Sequence, residues 1–280
     1  MFNKKRLIAL LTGTLLVGSL VSGCGSAGAN STSGSRSSKI TVSGSTSVGP
    51  TMEILAEDYQ KENDTTTIEV QQVGSSAGIT NTIDGTSQIG MSSRDLKDEE
   101  KSELKEYQIA IDGIAVITNS ANKVKDLTLQ QVKDIYTGKI TNWKEVGGAD
   151  AEIVVVSRED GSGTRDGFQE IVGFESKDLT SNAQISDGSG NIKTTVQGNE
   201  NAIGYISFGY LDDSINAVKI GGVEPKEENV YNDKYPISRP FLLVTKGEAS
   251  GDAKSFIDYV LSDAGQKTIE KQGFMSVNQK

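Results

Sequence analysis

Four short segments concentrate the residue types that can hold an oxyanion. They are Gly44-Ser45-Thr46-Ser47, Gly74-Ser75-Ser76-Ala77-Gly78, Ser92-Ser93-Arg94-Asp95, and the run from Arg158 through Glu159, Asp160, Gly161, Ser162, Gly163 and Thr164 to Arg165. Glycine lets backbone approach a ligand closely, Ser and Thr add hydroxyl donors on short stems, and Arg adds a planar fork that matches an oxyanion. Each segment follows a strand-like run, and at least three open a helix. The first turn of a helix presents unpaired N–H groups and a partial positive charge. One such loop alone is ordinary capping and turn chemistry. Four of them, two carrying Arg, describe an anion site made mostly of neutral donors. Asp160, two residues from Arg158, is placed to orient that guanidinium.

Other chemistries are poorly supplied. The 280 residues include no histidine and one cysteine, so there is no Ser-His-Asp or Cys-His catalysis, no His-ligated or thiolate-cluster metal and no intramolecular disulfide. Gly74 to Gly78 fits the G-x-S-x-G pattern of a nucleophile elbow, but Ser76 has no histidine base; a serine hydrolase using Ser76 is a remote alternative. The Gly161 loop is neither a Walker A nor a dinucleotide fingerprint. Asp98-Glu99-Glu100 and Glu227-Glu228 read as solvated helix starts and lack calcium-loop spacing, and Trp143 reads as packing with a polar edge. A net charge of −10 argues against a nucleic-acid partner. The expectation is a binding protein, not an enzyme, with neither cofactor nor metal.

The elements that would position these loops alternate between strand and helix. Strand-like runs lie at 39–43, 67–73, 88–92, 109–118, 153–156, 202–208, 217–220 and 236–245. Helical spacing marks Met52-Leu55-Ala56-Tyr59 behind Pro50, Ile79-Ile83, a charged helix over 96–107, Leu129-Val132-Ile135-Tyr136 ending at Gly138, 162–172, and Phe256-Ile257-Val260. The pattern gives an α/β class with mainly parallel sheets flanked by helices. Two lobes fit the length better than one. Gly113 and Pro236 mark the two crossings of a hinge, so lobe I is expected over 39–113 and 237–280, and lobe II over 114–236.

The N-terminus carries a targeting pattern. Lys4, Lys5 and Arg6 precede an apolar stretch from Leu7 to Val21, which ends at Ser22-Gly23-Cys24. This reads as a secretory signal over residues 1–23, too short and too rich in small residues for a membrane span. Residues 24–38 are a polar tether rich in Ser and Gly. A small-residue pair directly before a lone Cys resembles the bacterial lipobox, which implies cleavage before Cys24 and a lipid (palmitate among its chains) on that residue. Such cleavage removes 23 residues with three cations and no acids, taking the charge from −10 to −13.

Together the Gly44 to Pro50 loop, Gly74-Ser75-Ser76, Ile135-Tyr136-Thr137-Gly138-Lys139-Ile140 before Trp143, Asp160-Gly161-Ser162-Gly163-Thr164 and Ala202-Ile203-Gly204-Tyr205 resemble the phosphate-binding lipoproteins of bacterial ABC phosphate importers, of the type II periplasmic-binding-protein family. The resemblance implies a two-lobed fold joined by a two-strand hinge. It also implies capture of inorganic phosphate between the lobes and delivery to ABC permease subunits, by a monomer anchored outside the cytoplasm to the cell membrane. Phosphate contacts would fall on Thr46, Ser47, Ser75, Arg158, Ser162, Gly163 and Thr164, with Asp160 pairing the binding Arg. One position departs: many members carry an Asp that accepts the phosphate proton where this chain has Ser93, followed by Arg94. Asp95 is the candidate replacement acceptor, and Arg94 and Arg165 are additional candidate cations. That departure keeps another tetrahedral oxyanion, sulfate or molybdate, as the alternative ligand, and an adhesive surface lipoprotein is a further class.

Overall fold

A computed structural model describes residues 38–279. The signal, most of the tether and Cys24 lie outside the described residues. In chain order the elements are β1 (Ser38–Gly44), α1 (Gly49–Glu62), β2 (Thr66–Gln72), α2 (Ser75–Ile83), β3 (Ile89–Ser92), α3 (Asp98–Lys101) and β4 (Leu104–Asn119). There follow β5 (Asp126–Leu127), α4 (Leu129–Tyr136), β6 (Val154–Arg158), α5 (Gly163–Val172), β7 (Gln184–Ser186), α6 (Gly188–Gln197) and β8 (Ala202–Ser207). The chain ends with β9 (Ile215–Ala217), β10 (Lys219–Ile220), α7 (Glu227–Tyr231), β11 (Ser238–Lys246), α8 (Gly251–Leu261), α9 (Asp263–Lys271) and β12 (Met275–Ser276).

Local chemistry accounts for the elements nearest the site. Ile40 and Val42 point into one core from β1, while Pro50 opens α1 and Met52, Leu55, Ala56 and Tyr59 bury one face of it. Thr128 caps α4 by accepting from the Gln131 amide, and Ser162 caps α5 by accepting from the Arg165 amide at 3.3 Å. The Phe168 ring of α5 stacks on Tyr205 of β8 with centroids 4.0 Å apart, seating the helix against its sheet.

The main sheet runs β2-β1-β3-β11-β4-β8-β6-β7. Its two ends are parallel: β1 with β2 and β3, and β6 with β7 and β8. Its middle is antiparallel, because β4 and β11 cross the molecule in opposite directions. The 16-residue β4 belongs to both halves. Up to Gly113 it pairs with β11, and from Ile114 onward it pairs with β8. A Cβ at Gly113 would lie 2.3 Å from the Phe208 ring, so glycine is required there for packing and the strand passes through without breaking.

Two hydrophobic cores flank this crossing. One gathers Val42, Met52, Leu55, Met91, Phe241, Phe256 and Val260; the other gathers Ile117, Val132, Tyr136, Trp143, Phe168, Val196 and Tyr205. These are the two lobes of the fold. Trp143 is buried and its indole N–H donates to the Asn201 carbonyl at 2.9 Å.

Three details differ from the sequence reading. The charged segment 96–107 is helical only over Asp98–Lys101, and Leu104 already begins β4; its charged residues occupy the solvent side of a strand that pairs with β11. Ser38, read as tether, pairs with Thr66 in β1. The short helices α6 and α9 are added, their weak apolar repeats being interrupted by Gly, Asn and Thr, while α3 and α7 open on the acidic helix starts at Asp98 and Glu227. No helix among the described residues is long and apolar enough to cross a membrane.

Candidate anion-binding site

The C-terminal ends of β1, β3 and β6 and the N-termini of α2 and α5 converge on one narrow cavity between the lobes. It is lined by Ser45, Thr46, Gly74, Ser75, Ser93, Arg158, Ser162, Gly163 and Thr164, drawn so close together that no water-sized space is left between them. Every lining side chain is a hydroxyl or a guanidinium; among the described residues no carboxylate lines the cavity.

Arg158 is 1% exposed. Its Nε and Nη2 donate to the two Glu159 carboxylate oxygens at 2.7 and 2.6 Å, and Nη2 also donates to Thr46 Oγ1 at 3.0 Å. Its Nη1 is buried with no partner. A buried guanidinium N–H without an acceptor is costly, so this edge is where an anion would be stabilised most. The backbone is fixed as well: the Arg158 amide donates to the Tyr205 hydroxyl at 3.2 Å, and its carbonyl accepts from Arg165 Nη1 at 3.1 Å. Burial works to raise the Glu159 pKa, but the Arg158 hydrogen bonds and charge win and hold it below the usual carboxylate range.

The first turn of α5 brings the Gly163 and Thr164 amides to the cavity wall, where no earlier turn can accept from them. A Cβ at Gly163 would lie 2.3 Å from Ser75 Oγ and 2.8 Å from Ser93 Oγ, so only glycine lets the lobes approach this closely. Three further bonds join the lobes around the cavity. The Ser76 amide donates to the Gly161 carbonyl at 3.1 Å, the Ser47 and Thr164 hydroxyls meet at 2.9 Å, and the Tyr210 hydroxyl donates to the Thr46 carbonyl at 2.9 Å.

Comparison with known proteins follows the same outline. Residues 29–264 match the model of the PBP superfamily domain. The phosphate-binding protein PstS of Bacillus subtilis is 37% identical over 98% of this chain and 94% of its own length. The chain belongs to the PstS family of phosphate-binding proteins. A Clostridium perfringens structure, described as a phosphate ABC transporter substrate-binding protein with bound phosphate, is 63% identical over 85% of this chain and 99% of its own, with a TM-score of 0.84. An ABC-type phosphate transport receptor from Vibrio cholerae is 39% identical over 85% of this chain and all of its own, with a TM-score of 0.74.

Within this PstS-family chain the sequence-derived residues divide sharply. Thr46, Ser75, Ser93, Arg158, Ser162, Gly163 and Thr164 line the cavity, and Ser47 lies immediately behind Thr164. Four others point elsewhere. Arg94 is turned away because two carboxylates consume its guanidinium: it binds both oxygens of Glu100 at 2.8 Å, and its Nε meets Asp166 at 3.1 Å. Arg165 is used by the Arg158 carbonyl and by Asp160 at 2.7 Å. Asp160 pairs Arg165, not Arg158, and its side chain is 93% exposed; the carboxylate that orients Arg158 is the adjacent Glu159. Asp95 is exposed and faces a separate groove with Gln108, Tyr231 and Asp233, so it is not an acceptor for this cavity.

Sequence reasoning missed Ser45 and Gly74 as lining residues, Glu159 as the partner of Arg158, and the pair Asp112–Arg239 behind the site. The last pair left a signal. Asp112 is the only charge within Ile109 to Thr118, and Arg239 the only charge within Pro236 to Thr245, and the two runs are crossing strands. Lone opposite charges in two buried strands can be accommodated only by pairing.

Proposed function

We propose that this chain captures inorganic phosphate in the cavity between its lobes and hands it to an ABC permease. The observation that carries the reading is the buried, unpartnered Nη1 of Arg158 in a cavity otherwise lined by hydroxyls and α5 amides. Phosphate is what the PstS relatives are named for, and it is the ligand named with the C. perfringens structure. A charge-assisted hydrogen bond contributes roughly 1.5–3 kcal/mol net, so a handful reach micromolar binding, about −8 kcal/mol. The net charge of −10 opposes long-range attraction of an anion, so the affinity must come from these local donors.

The lobes in this reading are 39–113 with 237–280, and 114–236; a ligand held by both favours the closed state through its differential affinity. Thr46, Ser75, Ser93, Arg158, Ser162, Gly163 and Thr164 hold the ion. The protein is a monomeric, non-enzymatic receptor outside the cytoplasm, tethered by lipid on Cys24. Ser76 supports no hydrolase reading, since its hydroxyl is contacted by Arg94 Nη2 at 3.4 Å, a donor and not a base. Calorimetry of the chain from residue 25 onward tests the reading: phosphate binding with heat is expected, and its absence at millimolar phosphate would contradict it. A second ligand, sulfate, is favoured by one observation: no carboxylate lines the cavity to demand a proton from the anion. Sulfate binding in the same titration would show how far selectivity depends on that acceptor.

A further inference from the structure

Behind the cavity, the two crossing strands carry a buried ion pair that the binding reading leaves unused. Arg239 of β11 is 4% exposed and Asp112 of β4 is fully buried. Arg239 Nε and Nη2 donate to Asp112 Oδ2 at 3.0 and 2.7 Å, while Asp112 Oδ1 accepts from the Ser207 hydroxyl and the Phe208 amide. A buried pair contributes little net stability over an apolar replacement, so its retention at a hinge calls for another use.

The remaining guanidinium donors run toward the cavity. Nη1 donates to the Ser93 carbonyl at 3.0 Å, fixing a lining residue of lobe I. Nη2 also donates to Ser47 Oγ at 3.2 Å, and Ser47 Oγ lies 2.9 Å from Thr164 Oγ1 of lobe II. Ser47 is buried and does not line the cavity, whereas Thr164 does. Ser47 already accepts from Arg239, so the arrangement that satisfies every group has Ser47 donating to Thr164 and Thr164 donating into the cavity. A hydroxyl can point its proton or a lone pair at a ligand; Ser47 Oγ could accept a second bond, but its own proton would then lack a partner, so this chain of bonds favours the donor orientation of Thr164.

We propose that Arg239, with Asp112 as its counter-ion, is a positioning residue for anion binding: through Ser47 it sets the Thr164 hydroxyl as a fixed donor and ties the hinge strands to both walls of the cavity. The proposal rests on the phosphate reading above. Lysine at 239 would keep the charge but lose the fork that reaches Asp112, Ser93 and Ser47 at once.

The test is calorimetric titration of inorganic phosphate, well below the melting temperature, into wild type, Ser47→Ala, Arg239→Lys and the double variant. Loss of one oriented hydrogen bond predicts about a tenfold weaker Kd for Ser47→Ala and for Arg239→Lys. Because both act through one chain of bonds, the double variant should be no worse than about threefold beyond the weaker single. A purely structural Arg239 would lower the melting temperature of Arg239→Lys while leaving every Kd within about twofold, and fully multiplicative losses in the double variant would equally overturn the proposal. If Arg239→Lys does not fold, an unchanged Kd for Ser47→Ala is sufficient to reject it. Wild type without phosphate binding would bring down the phosphate reading itself and this proposal with it.

Discussion

Arg94 and Arg158 sit in loops of similar composition, each at the end of a strand and each buried, yet they do different work. Arg94 has two carboxylate partners, Glu100 in its own lobe and Asp166 in the other, plus the Asp95 carbonyl. Glu100 takes both of its terminal nitrogens, and its Nε, which makes no hydrogen bond, faces an Asp166 oxygen as an ion pair, so it acts as a clasp between lobes beside the cavity. Arg158 has one carboxylate, Glu159, which takes the Nε/Nη2 edge and leaves Nη1 open. The number of nearby acids, not the loop motif, decides which arginine can receive an anion. The Nη1 edge left open is a buried donor waiting for an acceptor, and the filled one is structure.

Breaking each arginine in turn should separate these roles. Arg158→Ala is expected to weaken phosphate binding by about 2–5 kcal/mol, of the order of a thousandfold, read by calorimetry. Arg94→Ala should leave the Kd within about fivefold but cost about 3 kcal/mol of stability, because it strands two partly buried acids; denaturant melts report this. Equal losses of affinity in both variants would erase the distinction. Glu159→Gln should give an intermediate effect, about tenfold in Kd, by releasing the guanidinium edge that Glu159 holds.

Acid should sharpen the comparison further. Burial raises the Glu100 pKa, but the hydrogen bonds from Arg94 and the Lys97 amide win and leave it depressed in the folded protein. Such a group contributes stability that is present above the unfolded glutamate value and lost as pH falls through the folded one. Melting temperature should therefore drop below the ordinary glutamate range, and Glu100→Gln should flatten that limb. Burial raises the Asp166 pKa despite Arg94, so the bond between lobes weakens at a higher pH than an ordinary aspartate would allow. The smallest effect is expected at Asp160: its carboxylate is 93% exposed, and Asp160→Asn should change the phosphate Kd by less than about twofold.

Much of this was legible in the sequence because the informative features are local. Gly-Ser loops followed by apolar helical spacing place Ser75, Ser162, Gly163 and Thr164 at helix starts whatever the tertiary arrangement. The apolar run around Gly113 marks a buried strand, and the recurrence of such a run at Pro236 marks its partner. What was not legible depends on direction at short range. Arg158 is followed by Glu159 and Asp160, and spacing alone does not reveal which acid turns inward; the backbone leaving β6 points Glu159 at the guanidinium and Asp160 into solvent. Arg94 resembled a ligand residue because its acids, Glu100 and Asp166, lie six residues away and in the other lobe. The wrong extent of the 96–107 helix has the same origin, since its charges fit a helix locally, whereas Lys105 and Glu106 are exposed on both faces of a strand end that only its pairing with β11 defines.

The most direct measurement is a crystal structure of the protein grown with phosphate. The account predicts tetrahedral density in the cavity between the lobes, within hydrogen-bond distance of Arg158 Nη1, Ser75, the Thr164 hydroxyl and the Gly163 and Thr164 amides, with Arg94 still on Glu100 and Asp166. Density held by Arg94, or a cavity without an anion while Arg158 Nη1 turns to a protein acceptor, would contradict it.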